Sequence, residues 1–323
     1  MRTRGVRGPV GLVIASAVVV VGCGRTPRAQ PVDARVQVVA TTGMITDVAQ
    51  RVGGVRVSVS GLMGPGVDPH LYKASAGDVR RLARADLVLY NGLHLEAAMG
   101  EVLVEMNRWR PTRAVTDSIP RSLLRSPPEY EGAYDPHVWF DVQLWERAVR
   151  AVEAALAEVD PAHASEYRSR SASYRQELRS LHDWVLARAA ELPPERRVLV
   201  TAHDAFNYFG RAYGFEVMGL QGISTAAEAG TADVQRVAET IAVRRIPAVF
   251  VETSIPRRAV EALQAAVASR GFRIEIGGSL FSDAMGDAGT PEGTYAGMVR
   301  HNVNTIVDGL RGGAGPVAEV ADE

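Results

Sequence analysis

The chain has 323 residues, 46% of them hydrophobic and 23% charged. That length predicts two domains, and the composition is that of a globular protein and argues against broad disorder. Basic and acidic side chains nearly balance, at 36 and 37, and no basic block occurs, so nucleic acid is not an expected partner.

The N-terminus reads as a targeting segment. Arg2, Arg4 and Arg7 precede an apolar run, Val10 to Val21, that is too short to span a bilayer. Val20-Val21-Gly22-Cys23 then resembles a bacterial lipobox, with valine where leucine is commoner. Cys23 is the only cysteine. It excludes an internal disulfide and a thiolate ligand, and it is the expected lipidation site. Residues 1–22 are therefore expected to be removed. Residues 23–35, with Pro27 and Pro31, form a leash.

Beyond the leash, strands and helices alternate. Val36–Ala40 is a β-branched strand, followed by a helix to about Arg51. Val55–Leu62 alternates like a strand with Val55, Val57 and Val59 on one side. A Gly/Pro-rich loop leads through His70 to a helix over Asp78–Ala85 and a buried strand over Asp86–Tyr90. A further helix-like run begins at Trp139. Asp160-Pro161 reads as a helix start. Tyr167, Tyr174, Leu178, Leu181 and Val185 then form one apolar stripe that ends at Pro193-Pro194. A helix from Asp160 to Leu192 would be about 48 Å long, enough to run along both lobes as a spine. Strands follow at Arg197–Thr201, Pro247–Val251 and Phe272–Ile276. Helices are expected from Thr231 to about Arg245, from Arg257 to Arg270 and from Tyr295 to Leu310. The small, polar tail from Gly312 is expected to be disordered. Alternation of this kind predicts an α/β fold with parallel βα sheets.

Four residues stand out on this frame. His70 lies in GPGVDPHLY, His137 in YDPHVWFD, His203 in VTAHDAFNYF and Asp283 in GGSLFSDAMG. Each sits in a turn-rich stretch beside a strand-like or helix-like run. Ligands of open α/β sheets gather at the carboxyl ends of strands. Three imidazoles and one carboxylate would make a closed set of nitrogen and oxygen donors for a divalent metal. His94, His163, His182 and His301 read as surface or satisfied histidines; His94, in NGLHLE, follows a strand and is the least ordinary of them, and His163 and His182 read as solvated positions. Asp287 is a nearby rival to Asp283. Glu252 reads as a structural carboxylate of the cleft, the alternative being a general base.

The stretches GPGVDPHLY, NGLHLE, DPHVWFD, HDAFNYFGRAYGFEVMGLQGIS, VFVETSI and LFSDAMG resemble those of the metal-binding receptors of zinc and manganese ABC importers, most closely the TroA-type subgroup. The resemblance runs from about Val36 to Leu310. It implies that His70, His137, His203 and Asp283 are the metal ligands, two per lobe across a cleft. It also implies two α/β lobes joined by one long helix. The expected organisation is a lobe over 36–159, a linking helix over 160–194, a second lobe over 195–311 and a tail over 312–323. The implied function is capture of one Zn2+ or Mn2+ ion and its delivery to an ABC permease and ATPase. The protein would act as an extracytoplasmic monomer held to the membrane by lipid. Manganese receptors often carry Glu where His203 stands, and zinc-specialised members often carry a His-rich loop that Leu123–Tyr134 lacks. Both metals therefore stay open. A metal-dependent hydrolase and a metal-sequestering or adhesive surface protein are the alternatives.

Overall fold

A computed structural model of the chain describes Met1, residues 35–127, residue 130 and residues 132–312. The signal-like segment, Cys23, the leash up to residue 34 and the tail from residue 313 lie outside the described residues. Strand β1 (Val36–Ala40) leads directly into α1 (Gly43–Gly53). Strand β2 (Val57–Gly61) begins two residues later than Val55–Leu62 predicts. Gly54 adopts φ 56° and a 3-10 turn occupies Gly54–Arg56, so Val55 is left 72% exposed. The ladder with β1 starts only where Val36 meets Val57. Helix α2 (Ala76–Arg84) follows, closed at its start by a reciprocal Ser75–Asp78 capping box. Strand β3 (Leu87–Tyr90), the short helix α3 (Gly100–Met106) and strand β4 (Thr112–Ala114) complete a parallel sheet of order β2-β1-β3-β4.

Helix α4 (Val142–Val159) is capped by Asp141, whose carboxylate accepts from the Leu144 N–H at 3.1 Å. The long helix α5 spans Ala164–Ala189, 26 residues or about 39 Å. It is shorter than Asp160–Leu192 because Pro161–His163 forms a 3-10 turn first. The predicted stripe is buried in full: Tyr167, Tyr174, Leu178, Leu181 and Val185. His182 is buried as well, bonded through Nδ1 to the Tyr213 hydroxyl at 3.1 Å, which corrects its reading as solvated.

The C-terminal half repeats the pattern with β5 (Val198–His203), α6 (Asn207–Tyr213), β6 (Glu216–Gln221), α7 (Thr231–Arg244), β7 (Ala248–Glu252), α8 (Arg258–Ala268), β8 (Glu275–Leu280) and α9 (Tyr295–Arg311). Strands β5 and β6 pair in parallel, as do β7 and β8. β8 lies three to four residues beyond Phe272–Ile276. Its glycines hide it from a β-propensity reading. A Cβ on Gly277 would stand 2.7 Å from the Phe250 ring, and one on Gly309 would stand 3.0 Å from Gly277 Cα. Helix α9 therefore rides directly on the strand, which only glycine permits.

One apolar core joins both halves. It packs Ile45 and Val48 of α1, Trp145 and Val149 of α4, the α5 stripe and Met298 and Ile306 of α9 against Leu199, Phe206 and Phe250. Smaller clusters lie under α2 and α3 (Leu82, Val88, Leu103) and under α7 and α8 (Val200, Ile241, Val251, Leu263). The described residues from Arg35 onward accordingly form a single compact unit. At the centre of the shared core, Asp47 of α1 accepts from the Tyr174 hydroxyl at 3.1 Å and from the Tyr295 N–H at 3.3 Å, and pairs with Arg51 at 3.2 Å. One carboxylate thus ties three helices together. Asp47→Ala is expected to lower the unfolding free energy by about 2–3 kcal/mol, since two buried donors lose a charged acceptor. Urea denaturation reads this directly, and a loss under about 0.5 kcal/mol, the level of an ordinary surface substitution, would refute the role.

Candidate metal centre

The four singled-out side chains meet at the carboxyl ends of the strands. His70 lies on the loop after β2, which carries Gly66 at φ 69° and an Asx turn in which Asp68 Oδ1 accepts from the His70 N–H at 2.9 Å. His137 repeats that turn with Asp135 at 3.0 Å. Its loop is pinned by Asn91 Nδ2 donating to Pro136 O at 3.1 Å and by the Tyr208 hydroxyl donating to Asp135 O at 3.0 Å. His203 is the last residue of β5. Asp283 follows β8 by three residues, closer than the predicted strand implied. Asn302 of α9 holds the backbone before it through both Phe281 N–H and Phe281 O, at 2.9 and 2.7 Å. Trp139 Nε1 donates to Ser282 O at 3.1 Å, joining the second histidine's segment to the aspartate's.

All four residues are at most 5% exposed, and one donor atom of each lies within 4.8 Å of the others. The three Nε2 atoms face inward. His70 Nε2 is 3.3 Å from His137 Nε2. Asp283 Oδ1 is 3.4 Å from His137 Nε2, and Oδ2 is 3.2 Å from His203 Nε2 and 3.9 Å from His70 Nε2. A tetrahedral ion with bonds of about 2.1 Å holds its ligands about 3.4 Å apart. Three of these distances, 3.2 to 3.4 Å, lie near that value, and the His70–Asp283 distance of 3.9 Å is wider. Neither oxygen of Asp283 accepts a hydrogen bond among the described residues, although both are buried. A buried carboxylate left so is strongly unfavourable, and a cation at the centre would satisfy it.

The electrostatics lead to the same place. Burial pulls the His70 imidazole down to about 3, so it is neutral and offers a lone pair. Burial also works against charge on His137 and His203. There it is outweighed, by Asp135 and Asp283 for His137 and by Glu252 and Asp283 for His203, and both are raised. Asp283 is held well below the usual carboxylate range by His203 and His137 despite its burial. A divalent ion needs the Nε2 lone pairs of these imidazoles free of protons, so its binding is coupled to pH.

Two acids shape the centre from behind: Glu252, expected as a structural carboxylate of the cleft, and Asp135, which sequence reasoning did not single out. Asp135 Oδ1 lies 2.7 Å from His137 Nδ1, and Glu252 Oε2 lies 2.6 Å from His203 Nδ1. Glu252 Oε1 also accepts from the His203 N–H at 3.0 Å. Each carboxylate fixes Nδ1–H and leaves Nε2 as the donor to a metal. For Asp135 the available signal was its place in a repeated Asp-Pro-His. The remaining histidines stay apart: His94 lies in the left-handed region at φ 63°, His163 pairs with Asp160 at 2.8 Å, and His301 bonds Ser279 O at 3.0 Å. Asp287 is not in the cluster.

The family model described as zinc-uptake complex component A, periplasmic, matches residues 38–309. The chain is 55% identical over 278 residues to the zinc-binding protein TroA of Treponema pallidum, covering 86% of this chain and 90% of that one. It is 45% identical over 306 residues to the manganese-binding lipoprotein MntA of Bacillus subtilis, covering 94% and 99%. The solved structure of TroA from Treponema pallidum superposes with a TM-score of 0.84, at 55% identity, over 86% of this chain and 99% of that one. Glu252→Gln keeps the size of the side chain and removes the charge behind His203. It is expected to weaken binding of a divalent ion by about 10- to 100-fold. Competition with a chelating dye measures this, and an unchanged dissociation constant would remove Glu252 from the site.

Proposed function

The chain belongs to the zinc-uptake complex component A family, and from that premise we propose that it is an extracytoplasmic solute-binding protein that captures one divalent transition metal, zinc or manganese, and delivers it to the permease and ATPase of an ABC importer. The proposed ligands are His70, His137, His203 and Asp283. The observation that carries this reading is the buried, unbonded carboxylate of Asp283 facing three inward Nε2 atoms. All four donors come from one chain, which supports action as a monomer. Both oxygens of Asp283 face the cluster, so the carboxylate can bind through one oxygen or two. That suits four-coordinate zinc and the higher coordination of a harder ion such as manganese.

A hydrolase is disfavoured on a specific contact. It needs an open coordination position and a free base. Glu252, the carboxylate in the right place, is engaged through both oxygens with His203. A receptor needs an ion enclosed by protein ligands, and four buried donors within 4.8 Å of one another support that reading. Among the described residues no helix is long and apolar enough to cross a membrane. Attachment is proposed to come from lipid on Cys23, and the relative named a manganese-binding lipoprotein supports that reading.

Elemental analysis of the purified protein should find one divalent ion per chain. His203→Ala should weaken zinc binding by at least about a hundredfold, more than loss of a supporting carboxylate costs. His94→Ala should leave it unchanged. Equal losses in the two variants, or two ions per chain, would defeat the assignment. Competition between zinc and manganese belongs in the same experiment, because the usual affinity order favours zinc whatever the transported ion is. Membrane fractionation tests the anchor: Cys23→Ser should move the protein from the membrane pellet to the soluble fraction, and continued sedimentation would exclude lipidation at Cys23.

A further inference from the structure

The two Asp-Pro-His segments make the same turn and then part. Asp135 turns its carboxylate onto the ring of its own histidine. Asp68 does not. Its Oδ1 accepts from the His70 N–H at 2.9 Å, while its Oδ2 accepts from the hydroxyl of Thr225 at 2.6 Å. Thr225 belongs to the other half of the molecule, on the segment between β6 and α7. His70 is thus the one imidazole of the three whose ring no carboxylate holds from behind. Its loop is instead tied to the opposite wall. Among the described residues, no other hydrogen bond joins residues 64–73 to the C-terminal half.

The surroundings of this contact favour movement. Leu71, next to His70, is 54% exposed. Asp68, Leu71 and Thr225 all line a cavity of about 580 Å³ that continues between the starts of α7 and α8. The loop therefore borders open space, with Gly66 at φ 69° near its root. The other three ligands have no such freedom. His203 ends a buried strand, His137 is held through its ring and its preceding backbone, and Asp283 is pinned by Asn302 and Trp139.

We propose that the Asp68–Thr225 hydrogen bond is a latch that keeps the His70 loop closed on the metal, so that Asp68 and Thr225 are positioning residues that govern how fast the ion leaves. Opening the latch frees His70 from the coordination sphere first and leaves a three-ligand ion facing the cavity. The inference rests on the metal-site reading above.

The test is chelator-driven release of zinc from the purified protein, followed by stopped flow. Thr225→Val deletes the hydroxyl and keeps the shape. It should speed release about tenfold, the scale of a hydrogen bond to a charged acceptor, with the association rate little changed. Thr225→Ser restores the hydroxyl and should return release to within about twofold of the wild type. Release at the wild-type rate in Thr225→Val overturns the latch, and so does Thr225→Ser releasing as fast as Thr225→Val. A wild-type protein that holds no zinc or manganese at all is a different failure, that of the metal site itself. Hydrogen exchange on the wild-type protein gives a second readout that needs no variant. Residues 64–73 and 222–230 should lose protection together when zinc is removed, and loss in one segment with retention in the other would overturn the proposal.

Discussion

The constraint on which the site depends is a carboxylate buried among three imidazoles, with no other hydrogen-bond donor beside it among the described residues. Asp283 lies 2% exposed among three imidazoles, with its oxygens 3.2 Å from His203 Nε2, 3.4 Å from His137 Nε2 and 3.9 Å from His70 Nε2. A surface carboxylate would be solvated and would bind cations weakly. A buried one without a partner is destabilising until a charge arrives. The affinity of such a site comes from withholding water and hydrogen bonds from groups that will soon be coordinated. The cost has to be met by the rest of the fold, and the continuous core beneath the site is where it is met.

That core also sets how the two halves move. Separate lobes on a flexible hinge would swing apart when the ligand leaves. Here the α5 stripe, α1, α4 and α9 share a single apolar cluster with Leu199, Phe206 and Phe250 of the second half. Asp47 stitches three of those helices by hydrogen bonds. Opening such a structure as rigid bodies would expose well-packed interior. The segments outside that core, the loops that carry ligands, are where motion costs least. The arrangement suits a receptor that must hold an ion of atomic size, for which a displacement of one ligand by an ångström is already release.

Much of this was legible in the chain, and the reason is local. His70 and His137 each follow Asp-Pro, and the proline and the Asx turn leave the backbone few alternatives. His203 follows a fully apolar β-branched run, and that run is the strand. The α5 stripe was read correctly because burial on one helix face imposes a strict period. What escaped notice was set by tertiary contact. β8 carries Gly277 and Gly278 because α9 lies against it, so its sequence lacks strand character. α3, β4, α6 and β6 are short, and their periodicity is too brief to register. His182 looked like a surface residue because its partner, Tyr213, is 31 positions away. Asp135, Glu252 and Asp68 were visible as acids, but which atoms they would hold depended on distances that only the fold supplies.

Specificity follows from the same geometry with less force than affinity does. Three imidazole nitrogens and a carboxylate form a donor set of intermediate hardness, and by the usual divalent order they bind zinc more tightly than manganese. Selection against zinc would need a repulsive element such as an enforced higher coordination number or a cavity too large for a tetrahedral ion. Three of the donor distances, 3.2 to 3.4 Å, are near tetrahedral spacing, and His203 occupies a place where a carboxylate would have added a harder donor and a second negative charge. Asp283, able to offer a second oxygen, is the one concession to a larger coordination sphere. By the usual divalent order such a donor set favours zinc, and a second carboxylate oxygen would suit manganese.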